Sequence, residues 1–229
     1  MRRGVVRALQ DGDADQVRTL FAATAAVGRP LLLPAGDLSA YSALCLDYYL
    51  EVDGSACGVH VEEGVVTGYA MVALDHAAYE RWARPRAVRW AARAVARMPL
   101  GLGGTAAAFH FWRLRDGIAT LRAGVAPPMP SHFHFNVDVA HRGLAAGFLL
   151  AAHADRVVGA AGLPGYFGEV NVAVGKPGRL AAFERLGARV VHRQHNYTLS
   201  WLAGQPVERL TVVRSLDAAA GWLPLPHAL

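Results

Sequence analysis

"HFHFNVDVAHRGLAAGFLLAAHADRV", residues 132–157, changes its period in the middle. From His132 to Val139 polar and apolar residues alternate singly, the period of a strand, and from about Leu144 alanine and leucine continue at helical spacing. The alternation puts His132, His134, Asn136 and Asp138 on one face and Phe133, Phe135, Val137 and Val139 on the other. A polar face on a central strand must be hydrogen-bonded internally or line a wet cavity, because an unpaired buried polar group costs roughly 1–3 kcal/mol. At the joint stand Arg142, Gly143 and Gly147. The first N–H groups of a helix have no partner within it. Residues as small as Gly143, Ala145, Ala146 and Gly147 let a pyrophosphate reach them, the helix dipole favours the anion, and Arg142 adds a counter-charge or braces the loop. A tight strand-to-helix turn that uses glycine only for its backbone is the other reading of the same residues.

Working outward, "RRGVVRALQ" predicts a first strand and Asp11 to Asp15 a turn that starts a helix over about Ala14 to Ala26. Leu38 to Leu50 has helical spacing. "ACGVHVEEGVVTGYAMVAL" predicts two antiparallel strands turning at Glu63-Gly64. From His76 to about Ala126 the chain is rich in Arg and Trp, and its helices are expected to break at Pro85, Pro99 and Gly101 to Gly104. Beyond the opening segment, "PGYFGEVNVAV" predicts a strand and "GRLAAFERLG" a short helix ending at Gly187. "ARVVHRQHNYTLSWL" and "VERLTVVRSL" predict two strands around a turn at Ala203 to Pro206. Local hairpins mixed with helical crossovers predict one α/β domain over residues 1–229, a mixed sheet with helices on both faces and residues 76–126 as an insertion.

The chain has 229 residues, is 53% hydrophobic and carries a formal charge of +5, enough for one sizeable core and a bias toward anionic partners. Cys45 and Cys57 are too few for a disulfide framework and lack metal-ligand spacing. No apolar run predicts a membrane span or a leader, so a cytoplasmic protein without membrane attachment is expected. Lys176 is the only lysine, and with the abundant alanine this suits a GC-rich bacterial genome.

"NVDVAHRGLAAGFLLAAHADRV" resembles the cofactor-binding motif of the GNAT acyltransferase superfamily, (Q/R)-x-x-(G/A)-x-(G/A) after a strand, with Arg142, Ala145 and Gly147 at its three defined positions. "GRLAAFERLGARVV" is similar to that family's later helix and strand, and the "HFHFNV" opening to a subgroup that resembles the acetyltransferase-like region of O-GlcNAcases. The resemblance implies a mostly antiparallel sheet with one splayed parallel pair. It implies an N-acetyltransferase that moves acetyl from acetyl-CoA to a small-molecule amine by direct attack, without a metal. The pyrophosphate would lie on residues 142–147, Leu144 included, and the pantetheine arm beside Val137 and Val139. Lys176 falls near a position where the family often has asparagine. Phe183 stands where many relatives have a tyrosine that protonates the departing thiolate, so a degenerate relative that binds without turnover stays open. Tyr166 and Tyr197 are the candidate replacements.

A base for the acceptor amine is sought among His134, His132 and Glu169, since an unperturbed histidine titrates near pH 6.5. Two histidines two apart on one strand face can also bind metal, but no third ligand has matching spacing. In the insertion, Arg86, Arg89, Arg93 and Arg97 share a helix face that is either solvated or a contact for the CoA phosphate, an acidic substrate, nucleic acid or lipid. Nucleic acid is not expected, because Trp82, Trp90, Phe109, Phe111 and Trp112 read as core or dimer contacts, not an exposed stacking platform. The insertion is expected to wall the acceptor pocket.

Overall fold

A computed structural model describes residues 4–97, 104–141, 144–175, 178–185 and 187–216. Arg142, Gly143 and Lys176 of the expected cradle, and Met98, Pro99 and residues 101–103 of the insertion, lie outside them. The described strands are β1 (Val5–Ala8), β2 (Gly58–Glu62), β3 (Val65–Ala73), β4 (His132–Val137), β5 (Gly165–Ala173), β6 (Arg189–His195) and β7 (Val207–Ser215). The helices are α1 (Ala14–Thr24), α2 (Ala35–Glu51), α3 (His76–Arg97), α4 (Thr105–Ala123), α5 (Leu144–Ala160), α6 (Gly178–Arg185) and α7 (Tyr197–Ala203). The strands form one sheet in the order β1-β2-β3-β4-β5-β7-β6. The β4/β5 neighbours run parallel and the other pairs antiparallel, the mixed α/β architecture expected.

Each face of the sheet buries what the alternation assigns to it. Tyr69 and Met71 of β3 join Val17 and Phe21 of α1 and Leu46 and Tyr49 of α2 in one core. Ala70 and Val72, one residue out of phase, face α5 through Leu150, Ala154 and Val158. Each such fully buried aliphatic side chain contributes about 1.5–3 kcal/mol. A buried polar network adds position to this packing: Arg214 of β7 pairs with Asp155 of α5, and the Tyr166 hydroxyl of β5 donates to the same carboxylate at 2.9 Å. Losing one partner would leave a buried charge uncompensated, at about 3–5 kcal/mol. This network fixes α5 against β5 and β7.

The β2–β3 turn forms as expected, with Glu63 and Gly64 at φ 51° and 82°, the left-handed pair a tight hairpin requires. Two expectations need correction. Pro85 does not break the insertion's first helix, and α3 runs unbroken from His76 to Arg97. Pro85 is exposed, so water can satisfy the carbonyl its missing N–H leaves free. The stretch expected as a long strand ends at His195, and Tyr197 to Ala203 form α7. Asn196 caps α7 by accepting from the Leu199 N–H at 2.9 Å, and Asp116 of α4 accepts from the Tyr197 and Thr198 N–H groups at 2.8 and 3.1 Å. A carboxylate 81 and 82 residues away in sequence from these N–H groups thus overrides the strand pattern, because a helix start rewards an acceptor and a negative charge.

Candidate active site

β4 and β5 pair only at His132–Phe167 and Phe133–Gly168 and then diverge. At that last pair the strands are in close approach: a Cβ on Gly168 would lie 2.6 Å from the Phe133 ring. The Asp138 N–H donates back to Thr67 at 2.8 Å, and strand alternation therefore turns the Phe135 and Val137 peptide groups toward the gap. There the Val137 N–H donates to the Asn136 Oδ1 at 3.0 Å. The gap opens into a cavity of about 650 Å³ that reaches from α1, α2 and α4 to Gly147 and Phe148 of α5.

The expected residues divide around it. His132, His134, Glu169, Val137, Gly147 and Phe183 all line the cavity. Val139 does not: β4 stops at Val137, the Asp138 side chain accepts from the Ala140 N–H at 2.8 Å, and Val139 opens a short turn, 52% exposed. The expected strand alternation is therefore corrected beyond Val137. His141 holds this turn against the sheet, lying 3.4 Å from Glu62 of β2 and 3.2 Å from Asp138. Leu144 begins α5, as expected. Ala145 is exposed, and Ala146 turns its side chain into the core beside Ala70 and Leu150. A Cβ on Gly147 would meet nothing within 4 Å, so packing does not demand a glycine there. The absence of a side chain leaves the wall of the cavity open.

The three candidate bases differ in what holds them. His132 is buried with both nitrogens engaged, Nε2 with the Tyr49 hydroxyl at 2.7 Å and Nδ1 with His76 Nδ1 at 3.0 Å. Burial, then the neighbouring His76 and His134, push its pKa down to about 3. His134 packs edge-on against Phe21 and Tyr69 and, among the described residues, has no hydrogen-bond partner. Burial lowers its pKa to about 4, so it is neutral near pH 7 with ring nitrogens left for a ligand. Glu169 is exposed, 3.5 Å from Arg209. Among the described residues no three His, Cys, Asp or Glu side chains group as a metal site.

Phe183 is buried edge-on to Phe135. Neither candidate replacement for its missing hydroxyl lines the cavity: Tyr166 is committed to Asp155, and Tyr197 stacks on Trp112. The sequence reading missed several of the lining residues, among them Tyr41, Tyr49, His76, Tyr79 and Arg113. They come from α2, α3 and α4, and the expected role of the insertion as a wall pointed only to those of α3 and α4, His76, Tyr79 and Arg113. Arg86, Arg89 and Arg93 of α3 are exposed and do not line the cavity.

No family model matches the sequence, and no curated protein does. Solved structures match across nearly the whole chain. SsHAT aligns with a TM-score of 0.63 at 19% identity, covering 94% of this chain and all of its own. The apo form of an agmatine N-acetyltransferase variant aligns at 0.52 and 18%, with the same two coverages. The NatC complex bound to a Gag peptide and CoA aligns at 0.54 and 11%, again over 94% of this chain and all of that one. Identity this low speaks for architecture alone, and the architecture agrees with the strand order and the parallel splay. The chain has the GNAT fold.

Proposed function

We propose that this protein is an acyl-CoA-dependent N-acetyltransferase acting on a small-molecule amine. The observation that carries the reading is the splay of β4 from β5, which opens one cavity onto both the polar face of β4 and Gly147 in the first turn of α5. Agmatine N-acetyltransferase and CoA-bound NatC, both of this fold, agree with it. Peptide groups of Phe135 and Val137 would hold the pantetheine arm, and the start of α5 around Leu144 to Gly147 the pyrophosphate. Arg142, Gly143 and Lys176 are proposed for the same anion from sequence. When bound, the thioester supplies an activated acyl carbon, where the amine's C–N bond forms as the C–S bond breaks.

The chain's own part is to orient the amine and move its proton. His134 is the base we favour, because its nitrogens are uncommitted and face the cavity. Glu169 is the alternative and can attract the protonated amine. His132, engaged on both sides, positions Tyr49 and His76. One observation favours a binding protein without turnover: Phe183 offers no proton to the departing sulfur. A thiolate leaves tolerably without one. Composition and the unpaired Cys45 and Cys57 support a bacterial cytoplasmic setting. "HFHFNV" alone supports the O-GlcNAcase-related subgroup.

Thermal unfolding with and without acetyl-CoA tests the first half. A ligand at 100 times its dissociation constant adds about 2.7 kcal/mol, and no shift would remove both readings. Thiol release with a panel of amines tests the second half, and binding with no release from any amine would favour the non-catalytic relative.

A further inference from the structure

The acceptor end of the cavity contains a cation whose place in the fold is fixed from both sides. On α4, Phe109 packs edge-on against Tyr41 of α2, and His110 lies 3.3 Å from Asp37 of the same helix. About two turns further on, Asp116 caps α7. Arg113 sits between these anchors at helical spacing and lines the cavity. Its nearest carboxylate is Asp116 at 3.8 Å, beyond hydrogen-bond reach. That carboxylate is already occupied by two N–H groups and the Thr198 hydroxyl. Besides that long ion pair, Arg113 has no hydrogen bond within the described residues, and the Tyr41 ring lies 5.4 Å from its guanidinium carbon.

The cavity's other charges are accounted for. Arg209 is held by Thr120, Gln194 and Glu169. Aromatic side chains of Phe21, Tyr41 and Phe109 surround the remaining space. A guanidinium with unused donors in such a site is complemented by a planar anion able to accept two parallel N–H bonds. A dianionic phosphate would call for a second uncommitted cation, which the described lining does not offer.

We infer that the acceptor is an amine that also carries a carboxylate, bound through that carboxylate by Arg113. The amine half of this statement rests on the acyl-transfer reading above, and the carboxylate half does not. An amino acid or ω-amino acid with an apolar or aromatic body has the required chemistry, its carboxylate on Arg113 and its ammonium toward Glu169 and His134.

The test compares matched pairs: glycine with methylamine, β-alanine with ethylamine, and phenylalanine with phenethylamine. Thiol release from acetyl-CoA gives KM and kcat, and thermal stabilisation by each amine alone gives binding without turnover. The expected result is a KM lower by about tenfold or more for the carboxylate member of at least one pair, in line with the strength of a charge-assisted hydrogen bond. Arg113→Gln should abolish that difference and Arg113→Lys should keep part of it. Retained stabilisation by acetyl-CoA would show that each variant is folded. Equal KM within every wild-type pair, or a preference that survives Arg113→Gln, overturns the inference while leaving acyl transfer intact. Should no amine release thiol, the acyl-transfer reading fails, and the carboxylate site is decided by stabilisation alone. It then stands only if phenylalanine or an ω-amino acid stabilises wild type but not Arg113→Gln, and falls otherwise.

Discussion

The two faces of β4 are built from residues one position apart and serve opposite ends. Phe133 and Phe135 stack on each other at 5.2 Å and close against Tyr166 and Phe183, an apolar seam between the sheet and α5 and α6. His132, His134 and Asn136 face α1 and α2, where Asn136 bonds Thr24, His132 bonds Tyr49 and His134 bonds nothing described. The apolar face gains stability from this packing, although Phe133, Phe135 and Phe183 also form part of the cavity wall. The polar face keeps a histidine neutral and uncommitted beside a cavity, which is a cost to stability that a ligand can offset. The difference teaches where to separate chemistry from folding in this strand.

The sharpest break is a pair of variants. His134→Ala is expected to lower kcat by about 10²–10⁴, the usual worth of a positioned base, while the unfolding temperature moves little. Phe133→Ala is expected to do the reverse, losing about 2–4 kcal/mol of stability with acyl transfer retained in whatever remains folded. Equal losses of rate and stability in both would mean that the faces are not functionally distinct. Gly147→Asp places a carboxylate in the open wall of the cavity. Acetyl-CoA affinity should fall by about tenfold or more with stability kept within about 1 kcal/mol, and unaltered affinity in the folded variant would remove α5 from the cradle.

A third outcome follows from acid. His132 and His134 have folded pKa values of about 3 and 4, below their unfolded value near 6.5, so the unfolded chain binds more protons beneath that pH. Their stability contribution is present above pH 6.5 and is lost as pH falls toward 4, by up to about 1.4 kcal/mol per pH unit for each histidine. Denaturant titrations from pH 7 to 4 measure the slope, and His134→Phe should reduce it. The smallest effect is expected off the strand: replacing Arg86, Arg89 and Arg93 of α3 together by Gln should change stability by no more than about 0.5 kcal/mol and leave the kinetics unaltered, since all three are exposed. A changed acceptor preference would return that face to the site.

Much of this was legible because it is periodic. Single alternation identified both faces of β4, Glu63-Gly64 identified the hairpin, and the change of period near Leu144 located the start of α5. What failed depended on partners distant in the chain. Tyr197 to Ala203 read as strand until Asp116 supplied the cap of a helix. The regular spacing of Arg86, Arg89 and Arg93 drew attention to α3, whereas the arginines that line the cavity are Arg113 and Arg209, each unremarkable in its own neighbourhood. Tyr166 and Tyr197 could be named from sequence as proton donors, but in the fold they are committed elsewhere.

By itself the sequence determined the strands and most of the helices, α7 and the unbroken α3 excepted, together with the polar and apolar sides of β4 and the glycine-rich joint. These rest on short-range sterics and on a side-chain period that each segment carries within itself. Tertiary structure alone decided which histidine keeps free nitrogens, where the parallel pair parts and which arginines face the cavity. Those properties belong to residues brought together across the whole chain, and burial and hydrogen-bond competition among them have no local signature.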